Sequence, residues 1–154
     1  MHTWFECKIR YEKTMENGMN KKVTEPYLVD ALSFTEAEAR IIEEMTPFIT
    51  GEFLVSDIKR ANFSELFPCE EEAADRWFKC KLVFITLDEK SGAEKKTSTQ
   101  VLVQAADLRD AVKKLDEGMK GTMADYQIAS VAETAIMDVY PYHAEPDDKP
   151  EVQG

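Results

Sequence analysis

Laid over itself, the chain matches in an ordered series of blocks, and this internal repeat restricts the possible folds more than any other property. Trp4-Phe5-Glu6-Cys7-Lys8-Ile9 returns 73 residues later as Trp77-Phe78-Lys79-Cys80-Lys81-Leu82, and Tyr11 returns as Phe84. Gly18 with Lys21-Lys22 returns as Gly92 with Lys95-Lys96, and Tyr27-Leu28-Val29-Asp30-Ala31 as Val101-Leu102-Val103-Gln104-Ala105, now 74 residues apart. Met45 keeps that displacement with Met119; beyond it the offset returns to 73, matching Phe53 with Tyr126, Val55 with Ile128, Ile58 with Val131 and Phe63 with Ile136. Glu65-Leu66-Phe67-Pro68 then matches Asp138-Val139-Tyr140-Pro141. Several blocks in one order require a tandem duplication.

Each copy has a legible local structure. Phe5, Cys7, Ile9 and Tyr11 alternate with Trp4, Glu6, Lys8 and Arg10, the period of two of a strand with one face turned inward. Asn17-Gly18 and Ser91-Gly92 supply turn chemistry, so each copy opens as a β-hairpin. A two-residue turn at Ser91-Gly92 would set Phe78, Cys80 and Leu82 opposite Ala105, Val103 and Val101. The same turn at Asn17-Gly18 would turn one strand's apolar set outward, so a three-residue turn at 17–19 is expected there, with Phe5 opposite Ala31 and Cys7 opposite Val29.

Ser33-Phe34-Thr35-Glu36 has the form of a helix capping box, and Asp107-Leu108-Arg109-Asp110 sits at the corresponding place. Phe34, Ala37, Ile41 and Met45 share one helical face, as do Leu108, Ala111, Leu115 and Met119, and each stripe should cover its hairpin. Pro47 closes the first helix, and Gly118 with Gly121 the second. Third extended segments follow at about 53–67 and 126–140, with a bulge expected near Asp57 and Ser130 where the apolar phase slips. A right-handed crossover lays the third strand beside the first, giving order 2-1-3. The predicted fold is α+β: a tandem duplication of a ββαβ unit, each an antiparallel sheet with one covering helix, about a pseudo-twofold axis. The expected domains are 1–68, an acidic linker 69–76, 77–141, and a disordered acidic tail 142–154.

The other sheet face should present Trp4, Lys8, Arg10 and Leu28 in the first copy and Trp77, Lys79, Lys81, Val83, Ile85 and Leu102 in the second. Its apolar content suits burial by stacking of the copies, or association with a protein partner or a second chain. Trp4, Lys8, Arg10, Trp77, Lys79 and Lys81, with lysine pairs near the turns, also resemble a basic and aromatic nucleic-acid platform. A small ligand at the repeat junction is a third reading.

Charge and composition exclude several classes. The net charge is −11, but Glu70, Glu71, Glu72 and Asp75 contribute −4 and residues 142–154 a further −3, so the folded body is only mildly acidic. No run approaches the roughly 18 apolar residues of a membrane span, and no basic and apolar leader precedes the first strand, so a cytoplasmic protein without membrane contact is expected. Cys7, Cys69 and Cys80 lack disulfide or metal spacing.

Catalytic chemistry finds little support. His2 and His143 lie at the ends without an orienting partner, Cys7 and Cys80 fall on the inward strand face, and Cys69 sits among glutamates. The run Glu70-Glu71-Glu72 lacks the ligand spacing of a calcium loop, and no nucleotide or hydrolase motif occurs. The residues therefore point to no cofactor and no metal, and to a non-enzymatic interaction or oligomerising module.

The blocks Trp4-Phe5-Glu6-Cys7-Lys8, Lys22-Val23-Thr24-Glu25-Pro26-Tyr27-Leu28-Val29-Asp30-Ala31, Phe34-Thr35-Glu36-Ala37-Glu38-Ala39-Arg40 and Gly121-Thr122-Met123-Ala124-Asp125-Tyr126 carry a further signal. Over residues 1 to about 142 the chain resembles an uncharacterised domain-of-unknown-function family associated with Bacteroides-type bacteria and their phages or prophages. That resemblance implies a cytosolic protein of mobile-element context and supplies no catalytic residues.

Overall fold

The computed structural model describes residues 3–141; His2, His143 and the expected tail at 142–154 lie outside the described residues. The fold is mixed α+β, with two helices and eight strands in two four-stranded sheets among the described residues. Two compact units divide the chain: one holds the residues up to Ala61 together with those from Met137 onward, the other Asn62–Ile136.

In the first unit β1 (Trp4–Thr14) and β2 (Asn20–Asp30) form the hairpin, α1 (Phe34–Met45) follows, and β3 (Phe53–Ala61) returns antiparallel beside β1. In the second unit β5 (Arg76–Leu87), β6 (Glu94–Ala105), α2 (Leu108–Gly118) and β7 (Asp125–Glu133) repeat that order and pairing. The first three strands thus lie 2-1-3 in both sheets.

The segments expected to run unbroken as third strands divide instead, and this corrects the sequence reading. After β3 the chain breaks at Asn62, and β4 (Glu65–Phe67) joins the second unit, parallel to β6. After β7 it breaks again, and β8 (Val139–Tyr140) joins the first unit, parallel to β2. Backbone pairing drives both departures. Ser64 donates from its amide and hydroxyl to the Gln100 carbonyl at 2.8 and 3.2 Å, and the Leu28 and Met137 amides donate to the Asp138 and Pro26 carbonyls at 3.0 and 2.9 Å. Each edge so covered would otherwise expose unpaired amides and carbonyls. Every unit is completed by a strand that follows the other unit's third strand.

Both hairpin registers also differ from expectation, by two residues each. Phe5 faces Val29 and Cys7 faces Tyr27, because the turn occupies 16–18 between Met15 and Met19. Phe78 faces Val103 and Cys80 faces Val101, because the second loop spans 89–92. Gly92 takes φ of 76°, and the Asp88 carboxylate accepts from the Lys90 amide, so a four-residue loop forms where two residues were expected. A shift of two leaves every side chain on its own face. The one-residue difference between the hairpins is taken up at the turn. The β3 and β7 bulges fall at Ser56 and Ala129, one residue before the expected positions.

Ser33 and Asp107 cap the helices, accepting from the Glu36 and Asp110 amides at 3.1 and 2.8 Å. Glu36 and Asp110 reach back to the Leu32 and Ala106 amides. Ala37, Ile41 and Met45 pack on Phe5, Cys7, Ile9 and Val29, while Ala111, Leu115 and Met119 pack on Phe78, Cys80, Leu82 and Val103. Phe34 and Leu108, at the first turns, stay about half exposed.

Candidate binding faces and a cleft

Strand alternation decides what the helix-free face of each sheet presents. On the second sheet Lys79 lies between Leu102 and Ala132, and Lys81 between Gln100 and Ser130. Val83 follows between Ser98 and Gln127, and Ile85 between Lys96 and Asp125. Lys79, Lys81 and Lys96 are exposed, and none forms an ion pair with a described residue. The acids of this face, Asp125 and Glu94, stand toward the hairpin turn. Lys79 and Lys81 therefore have only uncharged cross-strand neighbours, and the half-buried Val83 and Ile85 continue their row.

The first sheet carries the same strand pattern with different electrostatics. Lys8 is half-buried between Pro26 and Asp57, Glu6 precedes it on the same face, and Arg10 lies between Thr24 and Leu54. Opposite charges two positions apart cancel the field that the second sheet leaves open.

Of the residues singled out in the sequence, the structure brings Lys79 and Lys81 together on one exposed face and adds Lys96. Trp4 and Trp77 are on the helix-free faces but each is only 4% exposed, with Leu28 and Leu102 buried alongside. An indole so enclosed offers no surface on which a base can stack. Arg10 turns out to line a cleft of about 810 Å³ in the first unit, with Tyr11, Glu12, Lys22, Glu52 and Leu54 among its walls. Sequence reading passed over this cleft, since its far wall is the 50–52 loop, whose position depends on how far β3 extends along β1.

Cys7 and Cys80 are buried in the cores of their units. Burial, with Glu6 and Asp57 adding negative charge, pushes the Cys7 thiol up to about 12, and burial alone takes Cys80 to about 11. Both stay protonated at neutral pH. Cys69 is half-exposed at the start of the acidic segment, which is not simply solvated: its amide donates to Gln104 Oε1 at 2.9 Å, and Lys114 Nζ holds Glu71 at 3.0 Å and Asp110 at 2.7 Å. Two carboxylates raise the Lys114 ammonium above its usual range, keeping the clamp charged.

No three His, Cys, Asp or Glu side chains converge as a metal-holding group among the described residues, and no helix there is long and apolar enough to cross a membrane. The described residues present a basic face in one unit and a cleft of mixed charge in the other. Neither a curated protein nor a solved structure shows a significant match to the chain. A family match spans residues 3–142, nearly the whole sequence, and by it the chain belongs to the family described as Domain of unknown function (DUF4494).

Proposed function

We propose that this chain is a non-catalytic interaction module, descended from duplication of a ββαβ unit, that binds a protein partner through the helix-free face of its second sheet. The observation that carries the reading is the pair Lys79 and Lys81, exposed and bordered only by Leu102, Ala132, Gln100 and Ser130. Lysines beside Val83 and Ile85 combine a positive rim with apolar contact area, the composition of a docking surface for a carboxylate-bearing protein segment. The repeat boundaries of this reading are 1–68 and 77–141, joined by 69–76. Its setting is the cytoplasm of a bacterium, in the mobile-element context that the sequence resemblance implies.

A protein partner is favoured over nucleic acid because Trp4 and Trp77, each 4% exposed, offer no surface for base stacking. The test places a photo-cross-linking residue at Ser98, on this face, or at Lys113, on α2, in lysate of the native host. A protein adduct formed from position 98 alone, and lost when Lys79, Lys81 and Lys96 are changed to Glu, supports the proposal. Equal adducts from both positions reject it. So does fluorescence anisotropy showing that single-stranded oligonucleotide binds at low salt and is released by the same triple change, which would transfer the face to nucleic acid. Light scattering on the purified chain identifies the case in which the partner is a second copy.

A further inference from the structure

The cleft in the first unit has a construction of its own, separate from the basic face. β1 continues to Thr14, yet its ladder with β3 stops where Tyr11 meets Phe53. Among the described residues, Glu12, Lys13 and Thr14 therefore have strand partners on the β2 side only. On the other side the chain bends away at Gly51, whose φ of 94° lies in the left-handed region, and the cleft opens in the gap so made. Its volume of about 810 Å³ falls in the range of small-molecule sites, roughly 300–1,000 Å³.

The walls are ordered by strand register. Lys22 is opposite Glu12 across the hairpin, and Glu52, one residue before β3 begins, lines the same cleft. Arg10 and Leu54 form the next row. Arg10, Glu12, Lys22 and Glu52 line the cleft and make no ion pair with a described residue. Two carboxylates, Glu12 and Glu52, line one cleft, and a cationic group bound there would be attracted to both. The Arg10 guanidinium and the Lys22 ammonium suit a carboxylate, which arginine can bind through two parallel hydrogen bonds. Leu54, 53% exposed, supplies apolar wall beside them.

The geometry points to a binding site for a short linear peptide with free ends: its terminal carboxylate at Arg10 and Lys22, its terminal ammonium at Glu12 and Glu52, and an apolar side chain over Leu54.

The test is titration of the isotopically labelled full chain by nuclear magnetic resonance. The probes are alanyl-leucyl-alanine, the same tripeptide acetylated and amidated, and free leucine. Saturable shifts at residues 10–14 and 50–54, with the free-ended tripeptide binding at least about tenfold tighter than either other probe, are expected. Arg10→Gln and Glu52→Gln should each weaken that binding several-fold with the remaining spectrum unchanged. Absence of saturable shifts at millimolar peptide overturns the assignment. Equal affinity for the capped tripeptide or for leucine, or indifference to both substitutions, overturns it equally. The basic-face proposal is untouched by these outcomes, since its residues lie in the other unit.

Discussion

Gly118 closes α2 without a left-handed φ, so its lack of a side chain answers a packing demand. A Cβ built there would stand 2.8, 2.9 and 3.0 Å from three ring atoms of Phe67, against the 3.5–4.0 Å at which carbon atoms attract. Phe67 belongs to β4, the strand that arrives from the preceding unit, and its ring packs on the second core. In isolation Gly118→Ala should stabilise the helix by up to about 1 kcal/mol, the propensity difference between the two residues. Against it stands overpacking, typically about 1–3 kcal/mol, because the ring can retreat only by lifting off the core. The expected net effect is a loss of about 0–2 kcal/mol. With Phe67→Ala in place the obstruction is gone, and the same substitution should stabilise the protein. A double-mutant cycle from urea unfolding measures this change of sign as a coupling of about 1–3 kcal/mol. If Gly118→Ala is equally favourable with and without Phe67, the close approach is not what selects glycine here.

Two other predictions use the cysteines as reporters. Tyr140 of β8 stacks on Tyr27 at 6.2 Å, and Arg40 donates to the Pro141 carbonyl at 3.1 Å, so Tyr140→Ala should cost about 1.5–2.5 kcal/mol, half the loss for a fully buried aromatic. The change should make Cys7 reactive to a thiol reagent at lower urea while Cys80 keeps its protection; unchanged Cys7 protection would refute the role of β8. Alkaline pH should destabilise both units. From about pH 9 the unfolded thiols ionise while the folded ones hold their protons, so stability falls as pH rises toward about 11 for Cys80 and about 12 for Cys7. The slope is at most about 1.4 kcal/mol per pH unit per thiol, tyrosine ionisation in the unfolded chain adds above pH 10, and a urea midpoint equal at pH 8 and pH 10 would contradict it.

Much of the candidate face was legible because it depends on strand alternation alone. Lys79 and Lys81 on one face and Cys80 on the other follow from a period of two, and a register error of two residues left that assignment intact. Less could be read of what each lysine stands beside. Asp57 next to Lys8, against Ser130 next to Lys81, is set by bulges at Ser56 and Ala129, and these depend on long-range pairing. Loop length was misjudged for a related reason. Asn17-Gly18 and Ser91-Gly92 mark turns, but how many neighbours join them is decided by which strand residues pair first.

Local pattern by itself determined the hairpins, the capped amphipathic helices, the return of a third strand, and the division of each strand into a cysteine side and a lysine side. Those properties rest on interactions a few residues long, where backbone geometry and side-chain polarity leave one economical solution. Only the tertiary structure decided that Glu65–Phe67 and Val139–Tyr140 complete the sheet of the other unit, that Trp4 and Trp77 are enclosed, and that β1 outruns β3 to leave a cleft. The physical reason is that a two- or three-residue strand has too few hydrogen bonds to choose its own neighbour. Its place is assigned by whichever exposed sheet edge gains most from being covered.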